Sequence, residues 1–211
     1  MNLPFKIPER VIDALIARAA ANPYFDLADY MTRGWVFRLG PRRYLERYNT
    51  TGAGWVSARV HHILRDDDDR AFHDHPQDYI SIILRGGYSE LTPLYAHLRN
   101  FRRRIDGEQA TWYPPGSVLY RKAESPHRLV LPPGVKEAVT LFITGPRRRE
   151  WGFHFNKSVA SLTLTGTEHG DLELPLEEET WVPWQDFEQM IVDGKFGHSW
   201  RKPYGGTRMK A

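Results

Sequence analysis

Cysteine is absent from the 211 residues. Disulfide staples, thiolate metal ligands and a cysteine nucleophile are therefore excluded together, and any site must be built from nitrogen and oxygen donors. Long apolar runs are missing as well. Nowhere do about 18 uncharged apolar residues follow one another, so no transmembrane helix is expected. The first twenty residues carry Lys6, Glu9, Arg10 and Asp13 where a secretory leader needs an unbroken apolar core. The expectation is a soluble, cytoplasmic protein with no membrane partner. No repeat of about 20 to 50 residues is visible, which excludes solenoids. Charge of one sign is not in large excess either: 29 Lys and Arg oppose 26 Asp and Glu, for a net +3. The triplet Arg102-Arg103-Arg104 lacks the interleaved aromatics of a single-strand binder and reads as a charged edge strand or loop. No specific nucleic-acid partner is expected.

What the chain does contain is short apolar stretches cut by turn formers. With 41% hydrophobic residues, 17 Gly and 15 Pro, residues 1–211 read as one all-β domain of many short strands, with a core over about 34–155. Helical periodicity is confined to the two ends. Val11, Ile12, Leu15, Ile16 and Ala19 predict a helix over 9–20, and Asp186, Phe187, Met190 and Ile191 predict another over 185–192. Strands are expected at 34–40, Arg43 to Tyr48, Ala58 to Leu64, Tyr79 to Leu84 and Val118 to Tyr120, with Gly52 and Gly54 marking a turn. Ala138 to Thr144, AVTLFIT, is the longest purely apolar strand and should be central. The alternating runs within 158–175 read as a peripheral hairpin, and the tail from Gly194 as an arm.

The chemistry concentrates in Phe72 to Gly87, FHDHPQDYISIILRGG. His73 and His75 stand two residues apart, and in extended chain positions i and i+2 share a face. Two imidazoles on one rigid strand offer two coordination sites to a first-row metal. A third ligand must come from elsewhere, and His127, in Ser125-Pro126-His127, is the leading candidate. The alternative is a polar turn whose imidazoles are satisfied by backbone or by Asp74. One of His61 and His62 must face inward, either as a packing residue or beside the site. The run Asp66 to Asp69 lacks the spaced ligands and Gly of a calcium loop. It reads as a solvated acidic loop pairing Arg65 and Arg70. Arg147, Arg148 and Arg149 follow the central strand, where one could grip a carboxylate or phosphate.

The segment around His73 and a second one, GEQATWYPPGSVLYRKAESPHRLVL from Gly107 to Leu131, together resemble the two motifs of the cupin superfamily. His73, His75, Asp78 and Gly86 or Gly87 match the first motif, and Gly107, Pro114, Gly116 and His127 match the second. Two residues separate His75 from Asp78, where the family usually has three or four. RDDDDRAFHDHP, TGPRRREWGFHF and WVPWQDF also resemble a group of mostly uncharacterised bacterial and phage cupins with His-Asp-His-Pro motifs. The resemblance implies a double-stranded β-helix, the jelly-roll barrel, with peripheral N- and C-terminal helices. It implies a metal held by His73, His75 and His127, with Asp78 as a further ligand or a neighbour that orients one. The triad is similar to that of three-histidine thiol dioxygenases. That likeness implies Fe(II), with Zn, Mn and Ni as alternatives, and dioxygenase chemistry on a small polar or anionic substrate. Arg59, Arg121 and Arg128 are candidates to hold an anion, Arg128 least because it adjoins His127. Tyr79, Tyr113 and Tyr120 are candidates to supply a proton, Tyr120 foremost. A non-redox sugar or sugar-phosphate isomerase and a non-catalytic ligand-binding cupin are the competing readings. A small-molecule substrate is the expected partner, with a homodimer left open.

Overall fold

A computed structural model describes residues 2–27, 31–39, 56–67, 71–98, 102–167 and 170–193. The expected strand Arg43 to Tyr48, the turn at Gly52 and Gly54, Asp68, Asp69 and the tail from Gly194 lie outside these residues.

One sheet has the order β1 (Pro23–Leu27), β2 (Met31–Leu39), β3 (Val56–Ile63), β10 (Ala138–Thr144), β5 (Tyr79–Arg85), β8 (Val118–Arg121). The apolar run AVTLFIT, β10, has a neighbour on each side, as its composition predicts. Two three-stranded sheets complete the fold. One is β7 (Arg103–Tyr113), β6 (Tyr88–His97), β9 (Arg128–Val130); the other is β12 (Gly170–Pro183), β11 (Gly152–Thr167), β4 (Phe72–His73). A single bridge between His73 and His127 joins them. The second layer therefore runs β7-β6-β9-β4-β11-β12, and its seam falls on two of the expected metal ligands. All the pairings of these strands are antiparallel, and the architecture is the all-β jelly roll expected.

Between the layers lie Met31, Ile63, Ile83, Leu119 and Ala138 from the first sheet and Tyr88 from the second, all buried. On the outer face of the first sheet packs α1 (Glu9–Ala20), burying Ile12 and Ala19 against Val60, Leu84 and Val139. Each of the larger side chains here, Ile12, Val60, Leu84 and Val139, contributes roughly 1.5 to 3 kcal/mol when fully removed from water. Val11, expected on the same face, is instead 42% exposed. The second helix, α2 (Trp184–Val192), sets Phe187 against Phe153 of β11, with ring centroids 4.1 Å apart.

The turn after β5 depends on glycine. Gly86 and Gly87 have φ of 75° and 120°, and a Cβ on Gly86 would stand 1.9 Å from the Glu137 carbonyl oxygen. This turn reverses the chain into β6, which carries a residue that the site requires.

Candidate metal centre

His73, His75 and His127 converge. Their donor nitrogens all lie within 4.8 Å of one another, and among the described residues no other His, Asp or Glu joins them at that spacing. Backbone pairing sets two of them in place. The His73 N–H donates to the His127 carbonyl at 2.9 Å, and the His127 N–H returns the bond at 2.9 Å. His75, two residues beyond β4, is anchored by its N–H to the Ala123 carbonyl at 3.0 Å. The Nε2 atoms of His75 and His127 are 2.9 Å apart. Two imidazoles at metal–nitrogen distances of about 2.0–2.1 Å and a right angle would be about 3 Å apart, so the spacing fits one ion.

The electrostatics favour metal-competent rings. Burial, with some help from His127, pushes the His73 imidazole down to about 4, against the opposing pull of Asp67. Burial, then His127 and His73, drives His75 well below its usual range. Both are thus neutral near pH 7, as ligation requires. The His127 Nδ1 lies 2.7 Å from Glu90 Oε1, an arrangement in which Nδ1–H donates to the carboxylate and Nε2 faces the cluster. Asp67 stands 3.7 Å from His73 Nδ1 and also accepts from the Leu129 N–H at 2.7 Å.

Glu90 is the functional residue that the sequence reading missed. It is 1% exposed and held by Arg121 through both Nε, at 3.1 Å, and Nη2. Burial alone would raise its carboxyl, but the bonds from His127 and Arg121 outweigh that and bring it down to about 2. Alternation from Tyr88 places Glu90 on the same face as that buried ring, which was the available signal. Replacing Glu90 with Gln should weaken metal binding by roughly 10- to 100-fold while leaving the three ligands in place. A competition titration against a chelator checks this.

The structure places the other expected site residues elsewhere. Asp78 is not with the imidazoles: its carboxylate accepts from the Ala123 N–H at 2.7 Å and from Arg148 Nη2 at 2.6 Å. With two intervening residues it leaves the chain at a strand entrance, tied to the surface arginine. Asp78→Asn should therefore leave metal affinity unchanged in the same titration. Tyr120 is 57% exposed and neighbours Asp78, with its hydroxyl at 3.4 Å. Arg121 faces inward from the next position but spends its guanidinium on Glu90 and the Tyr113 hydroxyl, so it positions His127 through Glu90. Arg59 donates to Thr144 Oγ1 at 3.0 Å and lies over the Phe142 ring. Arg128 pairs with Glu108 at 2.9 Å. Of the acidic run, Asp66 and Asp67 accept from the Leu131 and Leu129 N–H groups, and Asp67 is buried rather than solvated.

Beside the imidazoles is a cavity of about 50 Å³ lined by residues including Arg33, His61, Tyr79, Thr140 and Phe142. Tyr79, 3% exposed, packs against His75 and Phe142 with centroids 4.6 and 4.5 Å away. Burial, then Glu90, raises its phenol well above its usual value, so it keeps its proton. Of the adjacent histidines, His61 is the one inside, 8% exposed and stacked on Phe142 at 4.6 Å. His62 instead pairs with Glu137 at 2.8 Å.

Behind the ligands, Asp74 points away from the cavity into a buried polar cluster. It accepts from the Gly152 N–H at 2.7 Å, Trp181 Nε1 at 2.9 Å, His154 Nε2 at 3.1 Å and Arg149. His154 meets Glu179 at 2.8 Å on its other side, and Glu179 accepts from the Tyr95 hydroxyl and Arg103. The strand segments flanking the hairpin expected over 158–175, with Gly152 and His154 of β11 and Glu179 and Trp181 of β12, thus form the wall behind the His73-Asp74-His75 segment. Of the three arginines after β10, Arg148 and Arg149 reach Asp78 and Asp74, and Arg147 pairs with Glu150.

No family model matches the chain, and no curated protein does. Among solved structures, it is similar to the hydroxypropylphosphonic acid epoxidase from S. wedmorenis, with 16% identity, 60% of this chain, 56% of that one and a TM-score of 0.41. The match thus spans little more than half of the epoxidase. The structure of Fe(II) HppE is similar with 14% identity over 58% and 54% of the two chains and a TM-score of 0.39. The DMSP lyase DddQ from Ruegeria pomeroyi DSS-3 matches with 18% identity over 68% and 66% and a TM-score of 0.43. Among the described residues, no helix is long and apolar enough to cross a membrane.

Proposed function

We propose that the protein is a metal-dependent oxidoreductase of the cupin type, in which His73, His75 and His127 hold ferrous iron and act on a small polar or anionic substrate with dioxygen. The observation that carries this reading is the face of three imidazoles beside a small cavity, with no carboxylate among the ligands. Iron so held supplies open positions for a substrate atom and dioxygen together, and the electrons for dioxygen's activation. The chain's own residues do the rest. Glu90 orients His127 and is itself fixed by Arg121. Tyr79 holds a proton within the cavity wall, where its hydroxyl can donate to a bound group. Phe142, Ile63 and Leu129 line the same space with apolar surface and limit water. About 50 Å³ takes only a few heavy atoms, which favours a small substrate or the end of a larger one.

Metal exchange tests the proposal. The protein reconstituted anaerobically with Fe(II) should consume dioxygen with at least one member of a panel of small carboxylic acids, amino acids and thiols, and the zinc form should consume none. Turnover of a sugar by the zinc or manganese form, with no dioxygen uptake by the iron form on any panel member, would replace this reading with an isomerase.

A further inference from the structure

The wall of the cavity opposite the three imidazoles has a composition of its own. Arg33 of β2 and His61 of β3 are direct cross-strand partners, and Thr140 of β10 pairs with His61 on its other side. All three line the cavity. His61 is 92% buried on an exposure of 8%, and its Nε2 has no hydrogen-bond partner among the described residues. An imidazole nitrogen so placed is destabilising unless something meets it. It is not one of the metal-ligating set, since its nitrogens fall outside the 4.8 Å grouping of the other three rings. The ring is stacked on Phe142, which sets its plane. The adjacent Arg33 guanidinium brings a positive charge to this wall, and the Asp67 carboxylate lines the same cavity nearer His73.

We propose that His61 is a specificity-determining residue whose Nε2–H donates to an oxygen of a small carboxylate, with Arg33 supplying the countercharge. This rests on the functional reading above only for what happens at the opposite wall. The substrate class that follows is a short carboxylic acid. Its carboxylate sits on the Arg33 and His61 wall, and its reactive end is presented to the three-histidine face. His62, next in sequence, points to the other side of the sheet and takes no part.

Acetate labelled with ¹³C is the probe. Its line width should be titrated against zinc-loaded and metal-free protein, with zinc content measured in parallel. The native protein should bind acetate saturably in both forms. His61→Leu should raise the acetate Kd roughly tenfold or more while keeping its zinc. His61→Gln, whose amide reaches the Nε2 position, should restore most of the loss. Should the leucine variant not fold, His61→Asn takes its place, because its shorter amide stops before that position. An unchanged Kd in His61→Leu, or no saturable binding by the native protein, overturns the proposal. Loss of zinc with His61→Leu also overturns it, by making His61 a fourth ligand. If the native protein holds no zinc yet binds acetate in a His61-dependent way, the metal reading falls and this one stands.

Discussion

His75→Ala should yield a folded protein that purifies without metal, whereas the native chain carries one equivalent. His75 contributes no strand pairing of its own beyond an N–H bond to Ala123, which alanine keeps. The ring is half-buried and touches His73, His127, Tyr79 and Phe142, so its loss costs packing but not topology. What disappears is the donor 2.9 Å from His127 Nε2. Two nitrogen ligands leave an ion with mostly water around it, since Glu90 is engaged by His127 and Arg121 and Asp67 by the Leu129 N–H. The affinity loss should exceed the roughly 10- to 100-fold expected for a residue that only orients a ligand. Elemental analysis of both proteins, purified without added metal and compared at equal thermal stability, checks the result.

Asp74→Ala should act on the fold itself. The Asp74 side chain is fully enclosed, and its removal leaves Arg149, His154, the Trp181 indole and the Gly152 N–H without their acceptor. Breaking a buried charged network from one side costs roughly 3 to 5 kcal/mol. A domain has only about 5 to 15 kcal/mol of stability in total. The variant should therefore unfold at a much lower urea concentration than the native protein. Asp74→Asn keeps the volume and one acceptor oxygen but not the charge, and should fall between the two. Since Asp74 lies between His73 and His75, both variants should also bind metal more weakly, in the order of their stability. A urea midpoint for Asp74→Ala within error of the native value would show the cluster to be incidental.

Much of this architecture is legible in the sequence because its signals are local. The period of Ile12, Leu15, Ile16 and Ala19 marks α1, and the unbroken apolar run of β10 marks an interior strand. The two-residue spacing of His73 and His75 puts both rings on one face, and His127 joins them through a bridge to His73. What is not legible is which partner a charged side chain finds across strands. Alternation allows only one of Tyr120 and Arg121 to face inward, but it does not say that Arg121 will be taken up by Glu90. Arg33 lies outside a strand read as starting at Gly34, whereas the pairing of Met31 with Ile63 extends β2 and brings Arg33 opposite His61. Asp78 is the first acidic residue after the histidine pair in sequence, yet Glu90 reaches the imidazoles through the turn at Gly86 and Gly87. Sequence proximity is a poor guide where antiparallel neighbours come from distant segments.

X-ray absorption at the metal edge of the ferrous protein tests the central claim most directly, because it counts imidazole ligands around the ion itself. The account predicts a first shell containing three imidazole nitrogens, with the multiple-scattering pattern of histidine. That signal should remain in Asp78→Asn and disappear together with the metal in His73→Ala, His127→Ala. A shell of oxygen donors alone, or a native-like spectrum at full occupancy in the double histidine variant, would contradict it.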